Sequence, residues 1–308
     1  MDGGKIKGLA AGLTATALWG GFYPVGRWLF NSGTGEPDGF TASAIRFLIA
    51  ALALSPALAN RDAMATLRRE WRRDIPFLIL LAAVGIVGEG VLVLISTKYT
   101  TAARASLMAN SAPIFTAVFS YLITREALTG RKIAGMLAGA AGIGVMFAMR
   151  GGDGFSGGAS TFVGDLLAVL SGILWALYTV LGTAPVARYG AFFCTEWLFI
   201  FGTLMAVPLA VVWGAPSAVT TYSAASWLGL AYLGLLSAAL GFALWYVALK
   251  HLKPGELGAF GYLTPAISAV LSQICFAERL GWGFLLALAL ILGGVALMME
   301  RAPRAAGR

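Results

Sequence analysis

Ser106-Leu107-Met108-Ala109-Asn110-Ser111-Ala112-Pro113 returns 152 residues later, in altered form, as Gly258-Ala259-Phe260-Gly261-Tyr262-Leu263-Thr264-Pro265. The same shift that lays Pro113 on Pro265 pairs Glu126 with Glu278, Leu128 with Leu280 and Gly142 with Gly294. Upstream it pairs Pro56 with Pro208. Near the start of each half a shift of 156 pairs Trp19 with Trp175 and Gly26 with Gly182. A chain that repeats itself at half its length is two copies of one unit. The expected boundary divides residues 1–150 from residues 151–308.

Each unit is too apolar for a soluble domain. Apolar residues make up 59% of the 308 and charged residues 12%, against about 45–50% and about 25% in ordinary globular chains. The mean hydropathy is +0.81. Disorder and a secreted disulfide scaffold are excluded. Ten stretches approach the roughly 20 apolar residues that span a bilayer as a helix: 8–30, 39–59, 75–97, 103–123, 131–149, 162–182, 191–213, 225–249, 256–276 and 281–300. They are rich in Leu, Ala and Gly, where a membrane barrel would show alternating strands of about ten residues. The expectation is an all-α polytopic membrane protein with ten transmembrane helices. Ala15-Thr16-Ala17 resembles a signal-peptidase site, yet the apolar run continues through Trp19, Phe22 and Val25 to Phe30. That length predicts a retained first helix.

The net charge of +8 would suggest nucleic acid as partner of a soluble domain. Here its placement explains it, and no nucleic-acid partner is expected. With the N-terminus inside, the cytoplasmic loops and tails receive Lys5, Lys7, Arg61, Arg68, Arg69, Arg72 and Arg73. They also receive Arg125, Arg131, Lys132, Arg188, Lys250, Lys253, Arg301, Arg304 and Arg308. The opposite side receives Arg27, Lys98, Arg104, Arg150 and Arg279, and Arg46 lies within a helix. The positive-inside rule then places both termini in the cytoplasm, and the expected location is the cytoplasmic (inner) membrane. Five spans per half is an odd number, so the second half enters in the opposite sense. Two inverted five-helix repeats commonly build a transporter with its site at the repeat interface near the midplane.

Cys194 and Cys275 lie in apolar segments and His251 is the one histidine. No ligand set for zinc arises, and no cofactor is expected. The Gly-rich stretch Gly151–Gly158 lacks a Gly-Lys-Ser/Thr ending and reads as a linker between the halves. Asn60–Asp74 mixes basic residues with Met64, Leu67 and Trp71; a short amphipathic helix on the bilayer surface and a solvated loop both fit.

These features together resemble the EamA-type branch of the drug/metabolite transporter superfamily. The resemblance is carried by Trp19-Gly20, by Arg46-Phe47-Leu48, and above all by Ala112-Pro113 followed by Arg125-Glu126-Ala127-Leu128 and a Gly-rich fifth helix. Thr264-Pro265 and Glu278-Arg279-Leu280 echo the latter in the second half. It covers essentially the whole chain and makes the two halves EamA-like repeats. It implies ten helices around a central cavity and the export or uptake of small metabolites, without naming one.

Ionisable groups inside spans are costly and mark sites by default. Arg46, Glu89 and Glu196 are such groups, and their partners under the repeat are Leu198, Gly241 and Ala44. Symmetry of architecture does not require a charge in one copy alone. Glu89, within Gly85-Ile86-Val87-Gly88-Glu89-Gly90, reads either as a binder of an amine or a coupling proton, or as a buried partner of Arg46. Arg46 reads either as a site residue or as a side chain snorkelling to its nearby helix end. Trp19 and Tyr23 share a helix face, and Trp175 and Tyr178 repeat the arrangement. They suit an aromatic clamp for an apolar or cationic substrate, or plain packing. Tyr246 and Tyr262, with Trp245, extend this set, and Asn110 is an intramembrane amide. Gly135 and Gly139 form a GxxxG face for close packing, within the chain or in a dimer.

The expected partners are a small-molecule substrate and the lipid bilayer, with the chain a monomer or homodimer. The expected function is a secondary transporter of amino acids or related amphipathic metabolites, exporting by alternating access. A passive channel for small solutes is the alternative. An intramembrane enzyme is disfavoured because no nucleophile–base pair, paired carboxylates or metal ligands are apparent.

Overall fold

The computed structural model describes residues 3–30, 37–125, 129–148, 159–249, 251, 263–277 and 280–298. Gly151–Gly158, Glu126, Glu278 and Tyr262 lie outside the described residues, and Tyr246 is described in its backbone only. All regular structure among them is helical: α1 (Gly3–Leu29), α2 (Gly39–Leu54), α3 (Arg61–Ala82), α4 (Glu89–Tyr99), α5 (Ala102–Ala109), α6 (Ala112–Phe119) and α7 (Gly130–Ala148). The second half adds α8 (Ala159–Tyr189), α9 (Ala191–Trp213), α10 (Ala224–Ala231), α11 (Gly241–Leu249), α12 (Leu263–Phe276) and α13 (Trp282–Met298).

Helices therefore lie over each of the ten apolar stretches, and several are interrupted rather than straight. Among the described residues six helical runs are long and apolar enough to cross a membrane: Gly39–Ala59, Arg61–Tyr99, Ala102–Ile123, Ala159–Gly182, Ala191–Trp213 and Ala224–Trp245. α1 has the length, but Lys5, Lys7, Arg27 and several glycines dilute its apolar character. Two further apolar helices, Leu263–Phe276 and Trp282–Gly294, are shorter.

Short polar residues start the helices by accepting orphan backbone N–H groups. Asn60 caps α3 through Ala63 N at 3.1 Å. Asp38 caps α2, accepting from Phe40 N at 3.0 Å and Thr41 N at 2.9 Å. Its second oxygen accepts from Ala215 N at 2.8 Å, tying the start of α2 to the end of α9. The stretch after Asn60 is helical and kinks at Glu70 (φ −107°, ψ 15°). Its apolar side chains Ala63 and Leu67 are buried in the protein core beside Phe193 and Leu198, so that face is turned to protein.

The helix pairings are matched between the halves. α2 packs on α9, α7 on α13, α4 on α8 and α1 on α11. At the α7–α13 contact, a Cβ at Gly294 would stand 2.4 Å from the Gly135 carbonyl oxygen and 2.8 Å from Gly139 N. The GxxxG face is thus covered by α13 of the same chain, and backbone-to-backbone approach is what the glycines permit. Irregularities repeat as well. π-helical turns occupy Ala83–Gly88 before α4 and Tyr232–Leu240 before α11. Arg125 (φ 59°) and Ala277 (φ 50°), 152 positions apart, both close a helix in the left-handed region.

One ionic group holds the end of the bundle that contains the start of α8. Asp165, which in sequence stands alone at a helix start, accepts from Arg104 Nε at 3.2 Å on each oxygen and pairs with Arg104 Nη2. It also accepts from the Thr100 hydroxyl at 2.8 Å. Arg104, assigned to a loop by the charge pattern, lies inside α5. Both side chains are almost fully buried, at 3% and 1% exposure. Sequence could not pair them, because they are 61 residues apart and belong to different halves.

Candidate functional site

The middle of the bundle holds a cluster with an aromatic end and a polar end. At the aromatic end the Trp19 ring meets Trp175 (centroids 6.0 Å apart), Phe242 (5.6 Å) and Trp245 (5.0 Å). Trp175 in turn meets Phe242 at 5.6 Å and Tyr178 at 5.4 Å. Most of these contacts are edge-to-face, the arrangement that the ring quadrupoles favour. The two tryptophans paired by the repeat thus touch across the interface between the halves. The Trp19 indole N–H donates to the Ser237 carbonyl at 3.0 Å, inside the π-helical turn, where the ladder is irregular and carbonyls are free to accept.

The polar end is built around the other π-helical turn, Ala83–Gly88. Arg46 turns inward rather than snorkelling. It is 6% exposed, and its Nη2 donates to the Gly90 carbonyl at 2.6 Å. The guanidinium lies 4.5 Å from the Phe47 ring centroid and 5.2 Å from that of Phe22, so two aromatic faces replace part of its hydration. Its Nε has no hydrogen-bond partner among the described residues. Glu89 follows the turn directly, and its charge and that of Arg46 act on one another. No ion pair within contact distance joins them among the described residues. Tyr23 feels the Glu89 charge as well, and its hydroxyl interacts with the Asn110 side chain. Asn110 Nδ2 also donates to the Ser106 carbonyl at 2.8 Å.

A chain of rings joins the two ends. Phe22 meets Tyr23 at 5.3 Å, Phe47 meets Phe199 at 6.2 Å and Phe199 meets Phe242 at 5.6 Å. Tyr178 reaches this level because Gly85 has no side chain: a Cβ there would stand 2.0 Å from the tyrosine ring. Trp19, Glu89, Asn110, Trp175, Phe242 and Trp245 are half-buried. Arg46, Tyr23 and Tyr178 are buried behind them.

Seven of the ten side chains singled out from sequence therefore come together: Trp19, Tyr23, Arg46, Glu89, Asn110, Trp175 and Tyr178. Glu196 is 1% exposed on α9, one turn before Phe199, with Oε2 unpartnered among the described residues. Tyr262 lies outside the described residues, and the Tyr246 side chain is not described. Phe242 and Phe199 were missed by the sequence reading. Phe242 had a signal, since the repeat places it opposite Gly90, next to the partner of Glu89. Phe199 had none. Among the described residues no group of His, Cys, Asp and Glu is arranged to hold a metal ion.

The model of the EamA-like transporter family matches residues 6–148 and again residues 162–300. An uncharacterized transporter of Archaeoglobus fulgidus is 30% identical over 80% of this chain and 83% of its own length. The aromatic amino acid exporter YddG of Ancylobacter novellus is 27% identical, over 93% of this chain and 94% of its own. A solved crystal structure superimposes with a TM-score of 0.63 at 22% identity, over 94% of this chain and 96% of that one, and so shares the fold. The chain belongs to the EamA-like transporter family and is a multi-pass membrane transporter of small molecules.

Proposed function

We propose that this EamA-like transporter exports amino acids with aromatic or other large apolar side chains, by alternating access across the cytoplasmic membrane. The arrangement read here is ten spanning helices in two inverted five-helix repeats with both termini inside. The matched helix pairs, the matched π-helical turns and the left-handed helix ends at Arg125 and Ala277 support it. Two related folds inserted in opposite senses supply inward-open and outward-open states of similar energy, which is what a carrier needs.

The observation that carries the substrate class is the adjacency of the two ends of the cluster. Trp19, Trp175, Phe242 and Trp245 offer ring surface to an apolar side chain. Next to them lie the buried Arg46 guanidinium, suited to a carboxylate and with Nε unpartnered among the described residues, and the half-buried Glu89 carboxylate, suited to an ammonium group. Held near one another without a contact ion pair, these charges are poised for a zwitterion between them. The similarity to an aromatic amino acid exporter supports the same class.

The test is counterflow in proteoliposomes loaded with a mixture of amino acids, nucleosides and cationic dyes, followed by mass spectrometry against protein-free vesicles. Selective, saturable loss of phenylalanine, tyrosine and tryptophan is expected, accelerated by the same compounds outside. Flux without such acceleration would indicate a channel, and loss of another class alone would overturn the substrate assignment. Glu89 is also the group proposed to carry a coupling proton. Glu89→Gln is expected to slow exchange about tenfold or more, as for loss of a hydrogen bond to a charged group, and to flatten its pH profile. An unchanged profile would remove the coupling role.

A further inference from the structure

A pocket lies between α3 and α8, at the end of α8 opposite the buried Arg104–Asp165 pair. It encloses about 260 Å³ and is lined by Arg73, Asp74, Phe77, Leu78, Ala184, Pro185, Arg188 and Tyr189. Under the proposed orientation this end faces the cytoplasm. The volume is near the low end for small-molecule pockets, about 300 Å³ and upward, and an amino acid is a small ligand. Phe77, Leu78 and Pro185 make its apolar wall.

Its charged lining residues belong to an ionic network between the two helices. Arg188 Nη1 lies 3.2 Å from Asp74 Oδ2 and its Nη2 lies 3.6 Å from Glu70 Oε1. The Tyr189 hydroxyl donates to Asp74. Arg73 Nε stands 3.7 Å from Asp74 and Arg69 Nε stands 3.4 Å from Glu70. Three guanidinium groups thus share two carboxylates, leaving one positive charge in excess. Arg73 and Arg69 are 78% and 75% exposed, so water weakens their hold.

Both helices are weakened beside the network. Pro185 sits inside α8 three residues before Arg188, and Pro76 sits inside α3 two residues after Asp74. Each proline withholds a backbone N–H from the carbonyl four residues back, and α3 also kinks at Glu70. The segments joined by the ion pairs are therefore those that bend most easily.

We propose that this pocket binds the carboxylate of the transported solute before it reaches the transport site. Arg188 exchanges Asp74 and Glu70 for that carboxylate, which frees the ends of α3 and α8 to separate. The apolar wall receives the solute's side chain, and the excess positive charge favours an anion over a cation. The proposal rests on the reading of the substrate as a cytoplasmic amino acid.

The experiment measures the α3–α8 distance by electron–electron double resonance in nanodiscs. Spin labels are placed at Arg72→Cys and Ala187→Cys, with Cys194→Ala and Cys275→Ser removing the native thiols. The probes are L-phenylalanine, phenylpropionate, which keeps the carboxylate alone, and phenylalaninamide, which lacks it. Phenylalanine and phenylpropionate are expected to shift the population to longer distances, and phenylalaninamide to leave it unchanged. Arg188→Gln is expected to show the longer distances without any probe. It is also expected to weaken the phenylpropionate response at least about tenfold, the loss expected for a hydrogen bond to a charged group, while Arg188→Lys retains part of it.

An equal response to phenylalaninamide, or an Arg188→Gln distance distribution like that of the unsubstituted protein, would overturn the proposal. So would opening by phosphatidylglycerol-containing discs in the absence of probe, since the anion would then be a lipid phosphate. Normal phenylalanine counterflow without any carboxylate-dependent opening would sink this proposal and leave the transport reading standing. Carboxylate-dependent opening through Arg188 without phenylalanine transport would do the reverse.

Discussion

The two ends of α8 are held by the same chemistry under opposite conditions. At its first turns Asp165 is clasped by Arg104 and by the Thr100 hydroxyl, with both charged side chains excluded from water. At its last turn Arg188 and Tyr189 reach Asp74 and Glu70 with the ionic side chains partly solvated, Arg188 at 31% and Glu70 at 32% exposure. Removing one partner of a buried pair strands a desolvated charge, at a cost of about 3–5 kcal/mol. An exposed pair is worth only about 0–1 kcal/mol. One helix is thus fixed at one end and releasable at the other, and Trp175 and Tyr178, which meet the candidate site, stand between.

The largest effect is expected at the fixed end. Asp165→Ala should destabilise the protein by about 3–5 kcal/mol, read as lost folded yield and a lower midpoint in thermal unfolding in detergent. The double variant Arg104→Met with Asp165→Leu should recover much of that loss, because no charge is left stranded. A single substitution without effect would erase the distinction between the two ends.

In the middle, Trp175→Ala should spare folding more than it spares transport. Loss of its ring contacts with Trp19, Phe242 and Tyr178 removes aromatic interactions worth about 0.5–1.5 kcal/mol each. An apparent KM for aromatic solutes raised about tenfold, with a smaller change for aliphatic ones, is the expected kinetic outcome. Equal effects on both solute classes would assign Trp175 to packing.

The smallest effect is expected at the releasable end. Tyr189→Phe should cost about 0.5–1.5 kcal/mol or less and move the α3–α8 distance rather than the unfolding midpoint. Burial first, then its bond to Asp74 and the nearby carboxylate charges, push the Tyr189 hydroxyl up to about 12. A raised folded-state value means that its contribution is fully present below the unfolded value, about 10, and is lost as pH rises through about 12. Ultraviolet titration of tyrosine ionisation in the native protein, minus that of Tyr189→Phe, should show that the phenol lost in the variant ionises near 12 rather than near 10. A tyrosine that ionises near 10 at this position would mean the bond to Asp74 does not hold.

Much of the candidate site was legible in sequence, for a physical reason. A charge or amide inside an apolar span is expensive, so Arg46, Glu89 and Asn110 announced themselves by their surroundings. Trp19 and Trp175 were marked by the repeat. What neither signal contains is direction. From sequence Arg46 read more readily as snorkelling outward, and only the packing of α2 against α4 shows its guanidinium turned to the Gly90 carbonyl. Glu196 met the same criterion as Glu89, and nothing in its apolar segment told that its side chain is 1% exposed with Oε2 unpartnered among the described residues. Phe199 was one phenylalanine among many until its ring was seen between Phe47 and Phe242.

By itself the sequence determined an all-helical, strongly apolar chain, its division into two related halves and the uneven placement of its basic residues. These are properties of composition and short-range pattern, set by the cost of placing polar groups in hydrocarbon. The tertiary structure alone decided which groups meet. It joined Arg104 to Asp165 across 61 residues and Tyr189 to Asp74 across 115, and it closed Trp19 on Ser237 across 218. Contacts at such separations depend on how helices cross and where glycine or a π-helical turn lets them approach, and no local pattern in the chain encodes that geometry.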